Sequence, residues 1–330
     1  MKPGRLNAIT DVEGVGVGHS TIIEGSSIRT GVTAIVPHPG NLFDNKVVAA
    51  VDFFNAYGKS TGLPQIMYEG TLESPLMLTE TMNTWRVADA VVDYQFERMG
   101  QQPQSINIVV GETNGDYLTD NLDRRVGKQQ VFGALDIARS PKGRSKVIEG
   151  NVGGGTPMTG YGFKGGIGTA SRVNEGFTVG VLVQLNCGSK DDLTIAGIPV
   201  GREVKLPEIP PESQGNSIMM IVATDLAAES RQIWKVAKRA TLGLARTGTY
   251  GSNNSGDFTI AFTTGMKSYE GSSDQFLNPV YKATVEATEE AVINALFAAE
   301  TMTGHKGNVR HALPLNQVRD IIERHGRPLS

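Results

Sequence analysis

The stretch Gly251-Ser252-Asn253-Asn254-Ser255-Gly256-Asp257-Phe258-Thr259-Ile260-Ala261-Phe262 holds the reading that decides the fold. Its first half is small, polar and turn-forming, and Phe258 to Phe262 has the β-branched and aromatic content of a strand. A serine entering a buried strand from a turn that the backbone can strain is a place where a chain can cut itself. Cleavage between Asn254 and Ser255 would leave Ser255 with a free α-amine beside its own hydroxyl. The competing reading of these twelve residues is an ordinary loop entering a strand.

Composition narrows the classes around this stretch. The chain has 330 residues, 39% hydrophobic and 20% charged, with a formal net charge of −3. That balance gives no electrostatic reason to expect a nucleic acid or an anionic membrane as partner. Glycine supplies 40 of the 330 residues, well above the usual ~7%. The fold is therefore expected to use many tight turns or close backbone contacts. A single cysteine, Cys187, excludes an intrachain disulfide and a cysteine-rich zinc site, and its place after an apolar run suggests a buried thiol. His19 and His38 have no partners at ligand spacing and read as turn or core residues. No metal site and no cofactor are expected. Met1 to Asn7 lacks the apolar core of a signal peptide, and no window approaches a membrane span, so a cytoplasmic protein is expected.

Outward from the central stretch, strands are expected within 8–37, over Val47–Phe54, Ser105–Val110, Phe177–Leu185 and Ser217–Ala223. Helices are expected over 71–99, 126–138, 226–246, 280–302 and 316–325. The segment Gly58-Lys59-Ser60 is no phosphate loop, because the first glycine of that motif is replaced by Phe53. Glu112 and Asn114 follow the strand at 105–110, as a polar turn or as ligand contacts. The region 150–172 is glycine-dense. Gly153-Gly154-Gly155 lacks the spacing of a nucleotide loop and reads as backbone passing close to a substrate, with Tyr161 offering its phenol. Asn186 sits at the end of the most apolar strand, where an amide donor can point into a site. Residues 189–216 read as an exposed excursion, and 265–279 as a loop.

Several ordered segments resemble one family. They are Gly-Gly-Gly-Thr at 153–156, Phe-Lys-Gly-Gly-Ile-Gly-Thr-Ala-Ser-Arg at 163–172, Val-Leu-Val-Gln-Leu-Asn at 181–186, Val-Ala-Thr-Asp at 222–225, Gly-Leu-Ala-Arg-Thr-Gly at 243–248, Asn-Ser-Gly-Asp at 254–257, Thr-Val-Glu-Ala-Thr-Glu-Glu-Ala at 284–291 and Ala-Glu-Thr-Met-Thr-Gly at 299–304. The set resembles the DmpA-like aminopeptidases, which include L-aminopeptidase/D-esterases and β-peptidyl aminopeptidases. The resemblance implies an α/β fold, a single-domain four-layered α/β/β/α sandwich like that of the N-terminal-nucleophile hydrolases. It implies self-cleavage into 1–254 and 255–330, assembly into a homotetramer of such pairs, and removal of the N-terminal residue from small peptides, amides or esters without metal or organic cofactor.

Carried onto this chain, the resemblance makes Ser255 the nucleophile and Asn254–Ser255 the bond cut. Asn186 and Tyr161 become oxyanion donors, and Thr288 and Glu290, with Glu289 as the competing carboxylate, orient the nucleophile's amine. Thr288 stands where family members carry Ser. Residues two apart on a helix do not face each other, so Thr288 and Glu290 act together only at an irregular helix start or through different partners. A substrate's free ammonium needs an anion, and Glu112 is the candidate, with Asn114 beside it. The rival readings are an acyltransferase of the ornithine acetyltransferase type, whose nucleophile is Thr, and an uncleaved, silent ligand-binding protein.

Overall fold

The structure, a computed structural model, describes residues 1–100, 102–207, 217–267 and 274–326. Two sheets carry the fold. One has four strands in the order β1 (Gly16–Glu24), β2 (Ile28–Val36), β5 (Leu76–Glu80), β6 (Val109–Thr113). The other has six in the order β4 (Thr71–Leu72), β3 (Val47–Ala56), β12 (Gly256–Lys267), β11 (Ser217–Leu226), β10 (Phe177–Asn186), β9 (Gly166–Asn174). Two short hairpins, β7 (Thr159–Gly160) with β8 (Phe163–Lys164) and β13 (Met302–Thr303) with β14 (Val309–Arg310), stand apart.

The helices are α1 (Leu63–Glu69), α2 (Thr84–Glu97), α3 (Lys128–Arg139), the single turn α4 (Val200–Glu203), α5 (Ser230–Ala245), α6 (Leu277–Phe297) and α7 (Leu315–Arg324). Strand alternation divides the six-stranded sheet between two cores. Phe258, Ile260 and Phe262 of β12, with Met219 and Ile221 of β11, join the core that includes the four-stranded sheet, α2 and α3. Ala261, Ile218, Met220 and Val222 face the core beneath α5 and α6. The layers run α/β/β/α, as expected from the resemblance.

The glycine excess has a structural cause. A side-chain carbon on Gly18 of β1 would lie 2.0 Å from the carbonyl oxygen of Ala134 in α3, and one on Gly168 of β9 would lie 2.0 Å from that of Ala291 in α6. The helices rest directly on the sheets at these points, which only glycine permits.

Two sequence readings change. The expected helix over 71–99 begins at Thr84; before it lie β4 and β5, with all five residues of Leu76–Glu80 buried. A short continuous apolar run such as Leu76-Met77-Leu78 is compatible with a buried strand as well as a helix, so periodicity alone could not decide it. The strand expected over 105–110 is β6, Val109–Thr113, so Glu112 lies inside a strand rather than past its end. The helix expected over 280–302 runs from Leu277 to Phe297. Most of the expected exposed excursion's second half and the centre of the 265–279 loop lie outside the described residues.

Candidate active site

Strand direction assembles one end of the sandwich. β12 and β11 are parallel, joined by a crossover through α5, so their starts lie side by side, with Ile218 opposite Asp257. β10 is antiparallel to β11, which sets its last residue, Asn186, opposite Ser217. β3 is antiparallel to β12, with Ala56 opposite Gly256 and Asn55 opposite Asp257. The backbone N–H of Gly256 donates to Ser217 Oγ at 3.1 Å. Asn186 therefore lies two strand spacings, about 10 Å backbone to backbone, from Gly256.

The second sheet reaches the same end. Gln184 Nε2 donates to Thr79 O at 2.9 Å and to Thr113 Oγ1 at 2.8 Å. Asn186 Nδ2 donates to Asn114 O at 2.9 Å, and its Oδ1 accepts the Thr159 N–H at 2.8 Å. Glu112 is buried; its Oε1 accepts the Lys59 N–H at 2.6 Å, and Thr81 Oγ1 bonds its other oxygen. Glu112 lies against Gly58, and Gly58 in turn lies against Gly256. One glycine thus separates Glu112 from the serine turn. The Asn114 side chain is committed locally, accepting the Asp116 N–H at 2.9 Å.

Ser255 is 1% exposed, whereas Asn253 and Asn254 before it are exposed. The turn closes with Ser255 N–H donating to Ser252 O at 3.3 Å. Asn254 has φ +67° and Gly251 φ +65°. Left-handed backbone is a position that turn chemistry gives to Gly or Asn, and it costs of order 1 kcal/mol for a residue with a side chain. The Ser255 hydroxyl donates to Asp257 Oδ1 at 2.6 Å. Asn55 Nδ2 lies 3.2 Å from Asp257 Oδ2, 3.2 Å from Gly251 O and 3.3 Å from Ser252 O.

Asp257 and Asn55 join the site through the folded structure. The sequence signal for Asp257 is its spacing: residues two apart entering a strand share a face. Lys164 joins them. It is fully buried, its Nζ donates to the carbonyls of Gly155, Met158 and Gly165 at 2.7–3.2 Å, and burial pushes its pKa well down. It ties down the glycine-rich loop from which Thr159 reaches Asn186.

The remaining candidates are placed elsewhere. Tyr161, with φ +52°, packs its ring where Gly188 leaves room. Its OH lies 2.6 Å from Thr247 Oγ1, whose own proton goes to Leu244 O, so the phenol donates to Thr247. The phenol's partners are Thr247 and the Thr249 backbone, and it makes no bond to Ser255. Thr288 is buried in α6, its hydroxyl donating back to Thr284 O at 2.8 Å and its Cβ facing Gly243 of α5. Glu290 faces the other way, with Arg172 Nη1 at 2.6 Å and Asn7 Nδ2 at 2.6 Å. Asn7 in turn accepts from Ser171 N–H, and Ser171 pairs with Gly180, six residues or about 20 Å down the strand from Asn186. Glu289 pairs with Arg246 at 3.0 Å. None of the three carboxyl or hydroxyl groups bonds to Ser255, and the two-residue spacing is the reason Thr288 and Glu290 diverge.

His19 is partly buried in β1, Nδ1 bonded to Thr33 Oγ1 at 2.9 Å, and desolvation lowers its pKa to about 4. His38 bonds Asn45 O and the Gly40 N–H within its own loop. Cys187 is buried and free. Among the described residues no group of three or more His, Cys, Asp or Glu is placed to hold a metal ion, and no helix is long and apolar enough to cross a membrane.

Glu80, at the end of β5, is fully buried. Burial, with further contributions from Glu112 and Asp116, raises its pKa to about 8, against hydrogen bonds from the Met82 N–H and Asn83 that lower it. A folded pKa above the unfolded one means that stability is fully present below the unfolded value near 4.5 and is lost as pH rises through about 8. The loss is on the order of a few kcal/mol. Thermal melts from pH 5 to 9 should show a falling Tm, and Glu80→Gln should flatten that fall. An unchanged slope in Glu80→Gln would mean that another group sets it.

Two face-to-face sheets between helical layers, with a serine opening a central strand where polar residues of both sheets converge, define a hydrolase of the N-terminal-nucleophile fold. The chain belongs to peptidase family S58: the model of Peptidase family S58 matches residues 7–310. It is 36% identical to the β-peptidyl aminopeptidase BapA of Sphingosinicella xenopeptidilytica, over 97% of this chain and 88% of that one. Among solved structures it is similar to the PH0078 protein of Pyrococcus horikoshii OT3, with a TM-score of 0.91, 43% identity, and 99% and 96% of the two chains covered. It is also similar to the L-aminopeptidase D-Ala-esterase/amidase of Ochrobactrum anthropi, a prototype serine aminopeptidase and a variant of the Ntn hydrolase fold. The TM-score there is 0.89 at 38% identity, with 99% and 96% covered. The family expected from the ordered motifs is thus the family found.

Proposed function

We propose that this protein is a self-processing aminopeptidase that cuts its own Asn254–Ser255 bond and then uses Ser255 to remove the N-terminal residue of small peptides, amides or esters. The observation that carries the reading is the junction itself. A left-handed Asn254 on the surface is joined to a buried Ser255 whose hydroxyl is already hydrogen-bonded to a carboxylate. Cleavage would free an exposed end and leave the serine anchored at the start of β12, between β3 and β11. Residues 255–330 supply that central strand and α6, so the two fragments would stay associated. The names of the relatives, a β-peptidyl aminopeptidase and an L-aminopeptidase D-Ala-esterase/amidase, support the substrate class.

In the processed protein, the Ser255 α-amine serves as base for its own hydroxyl. An α-amine titrates near ~7.7–8.0, close to working pH, whereas an ordinary Lys near ~10.4 would stay protonated. Asn186 Nδ2 keeps one hydrogen beyond its bond to Asn114 O and supplies the oxyanion donor. Glu112 takes the substrate's ammonium. We place the protein in the cytoplasm as an oligomer; the exposed Phe53, Phe54, Tyr57 and Trp234 are apolar surface of the kind that interfaces cover.

Intact mass tests the reading: purified protein should resolve into 1–254 and 255–330, co-eluting under native conditions. A chain that stays whole and inactive on aminoacyl p-nitroanilides would instead be a silent binding protein. Glu112→Gln should raise KM roughly tenfold or more for substrates with a free amine, the scale of losing one charge-assisted contact, with kcat little changed. An unchanged KM would remove Glu112 from the amine site.

A further inference from the structure

The mechanism above leaves one proton unassigned. In the processed enzyme the α-amine of Ser255 is the base, but in the uncut chain that nitrogen is an amide, which accepts no proton. The first nucleophilic attack therefore needs another acceptor. Among the described residues, the group bonded to the Ser255 hydroxyl is Asp257, 2.6 Å away and 2% exposed. We propose that Asp257 is the general base of the self-cleavage step. This rests on Ser255 being the nucleophile.

The local structure explains the placement. Ser255 and Asp257 share a face by strand alternation. The β3–β12 register shifts between Asp257 and Phe258, a bulge of the kind that re-aims side chains beside functional sites. Asn55, opposite Asp257, bonds its second carboxylate oxygen and, through the same nitrogen, reaches the carbonyls of Gly251 and Ser252. One amide thus fixes the base and the strained turn relative to each other.

The groups facing Asp257 are Asn55 from β3, the Ile218 N–H from β11, Ser255, and the Cys187 thiol that follows β10. Burial pushes the thiol's pKa up, so it brings no charge. Burial also raises the Asp257 carboxyl, opposed by the hydrogen bonds from Ser255, Asn55 and Ile218. A raised carboxyl is a stronger base when ionised.

The step balances. Asp257 takes the hydroxyl proton as Oγ bonds to the Asn254 carbonyl carbon, whose oxygen becomes the oxyanion. On collapse the bond from that carbon to the Ser255 nitrogen breaks, and the nitrogen takes the proton from Asp257. The product is an ester between Asn254 and Ser255 Oγ, with a free amine. Water then adds to the ester carbon, giving its proton to the carboxylate, which passes it to the departing Oγ. Asn254 ends as a carboxylic acid, which ionises, and Ser255 as a free residue.

Pulse-labelled cell-free translation of the full chain, followed over time on denaturing gels, reads the processing rate. Asp257→Asn should slow cleavage by about 10²–10⁴-fold, the usual worth of a general base, and Asp257→Glu should recover part of it. In the wild type the rate should fall about tenfold per pH unit once pH drops below the carboxyl's pKa, and Asp257→Asn should lose that dependence. Cleavage of Asp257→Asn within threefold of wild type, with Ser255→Ala uncut, overturns the role of Asp257 alone. Cleavage of Ser255→Ala overturns the nucleophile itself. If Asp257→Asn gives no cooperative melt, the wild-type profile decides, and a rate that does not fall as the pH is lowered overturns the proposal.

Discussion

Ser255→Ala is expected to yield one uncut chain of 35.3 kDa and no measurable aminopeptidase activity, while Ser252→Ala is processed normally. The hydroxyl of Ser255 is used twice in the proposed mechanism, first against the chain's own Asn254 carbonyl and then against substrate, so its removal stops both. Loss of a hydrolase nucleophile lowers kcat by roughly 10⁶-fold, far beyond any effect of altered packing. Folding should survive. Ser255 contributes one small side chain and a hydrogen bond to Asp257, and its removal leaves one carboxylate oxygen less satisfied, a cost of about 1–3 kcal/mol. A melt close to that of wild type, together with an intact chain, identifies a chemical defect. The control matters because Ser252 lies in the same turn and contributes through its backbone, accepting from the Ser255 N–H. Cleavage lost in Ser252→Ala and kept in Ser255→Ala would move the nucleophile three residues upstream.

The turn and strand around Ser255 were legible because local rules agree there: polar turn residues, then β-formers alternating between two buried faces. The same alternation contained the contact with Asp257, since two residues apart at a strand start means one face. Elsewhere, local rules conflict with the site. Glu112 is a carboxylate inside a buried strand, which no propensity favours. It is explained only by the parallel pairing of β6 with β5 and by the loop that brings Lys59 to it. Leu76-Met77-Leu78 could not be separated from a helix, because a strand buried on both faces loses its alternation. Thr288 and Glu290 show the opposite limit. Their order in the chain matched the family, but helical geometry sends one toward α5 and the other toward Arg172. Motif order carries the fold reliably and side-chain direction poorly.

Asn186→Ala should lower kcat by about 10²–10³-fold with KM changed only a few-fold, the signature of a donor that works in the transition state. The difficulty is that Asn186 also supports structure. Its Oδ1 accepts the Thr159 N–H, so alanine orphans a buried donor at about 1–3 kcal/mol and loosens the loop that Lys164 holds. A fall in activity with alanine alone would not separate the two roles. Asn186→Asp does. The carboxylate keeps an acceptor for Thr159 at the same position, while the donor is lost and a negative charge is set where an oxyanion must form. If Asn186 is the oxyanion donor, aspartate should be at least as damaging as alanine to kcat; its melt should fall too, because the buried carboxylate sets an oxygen against the Asn114 carbonyl that Nδ2 now bonds. If Asn186 only fixes the loop, aspartate should retain kcat within tenfold. The two variants then fall in opposite orders of kcat, because the oxyanion reading depends on the Nδ2 hydrogen left over from the bond to Asn114 O and the loop reading on the Thr159 N–H held by Oδ1.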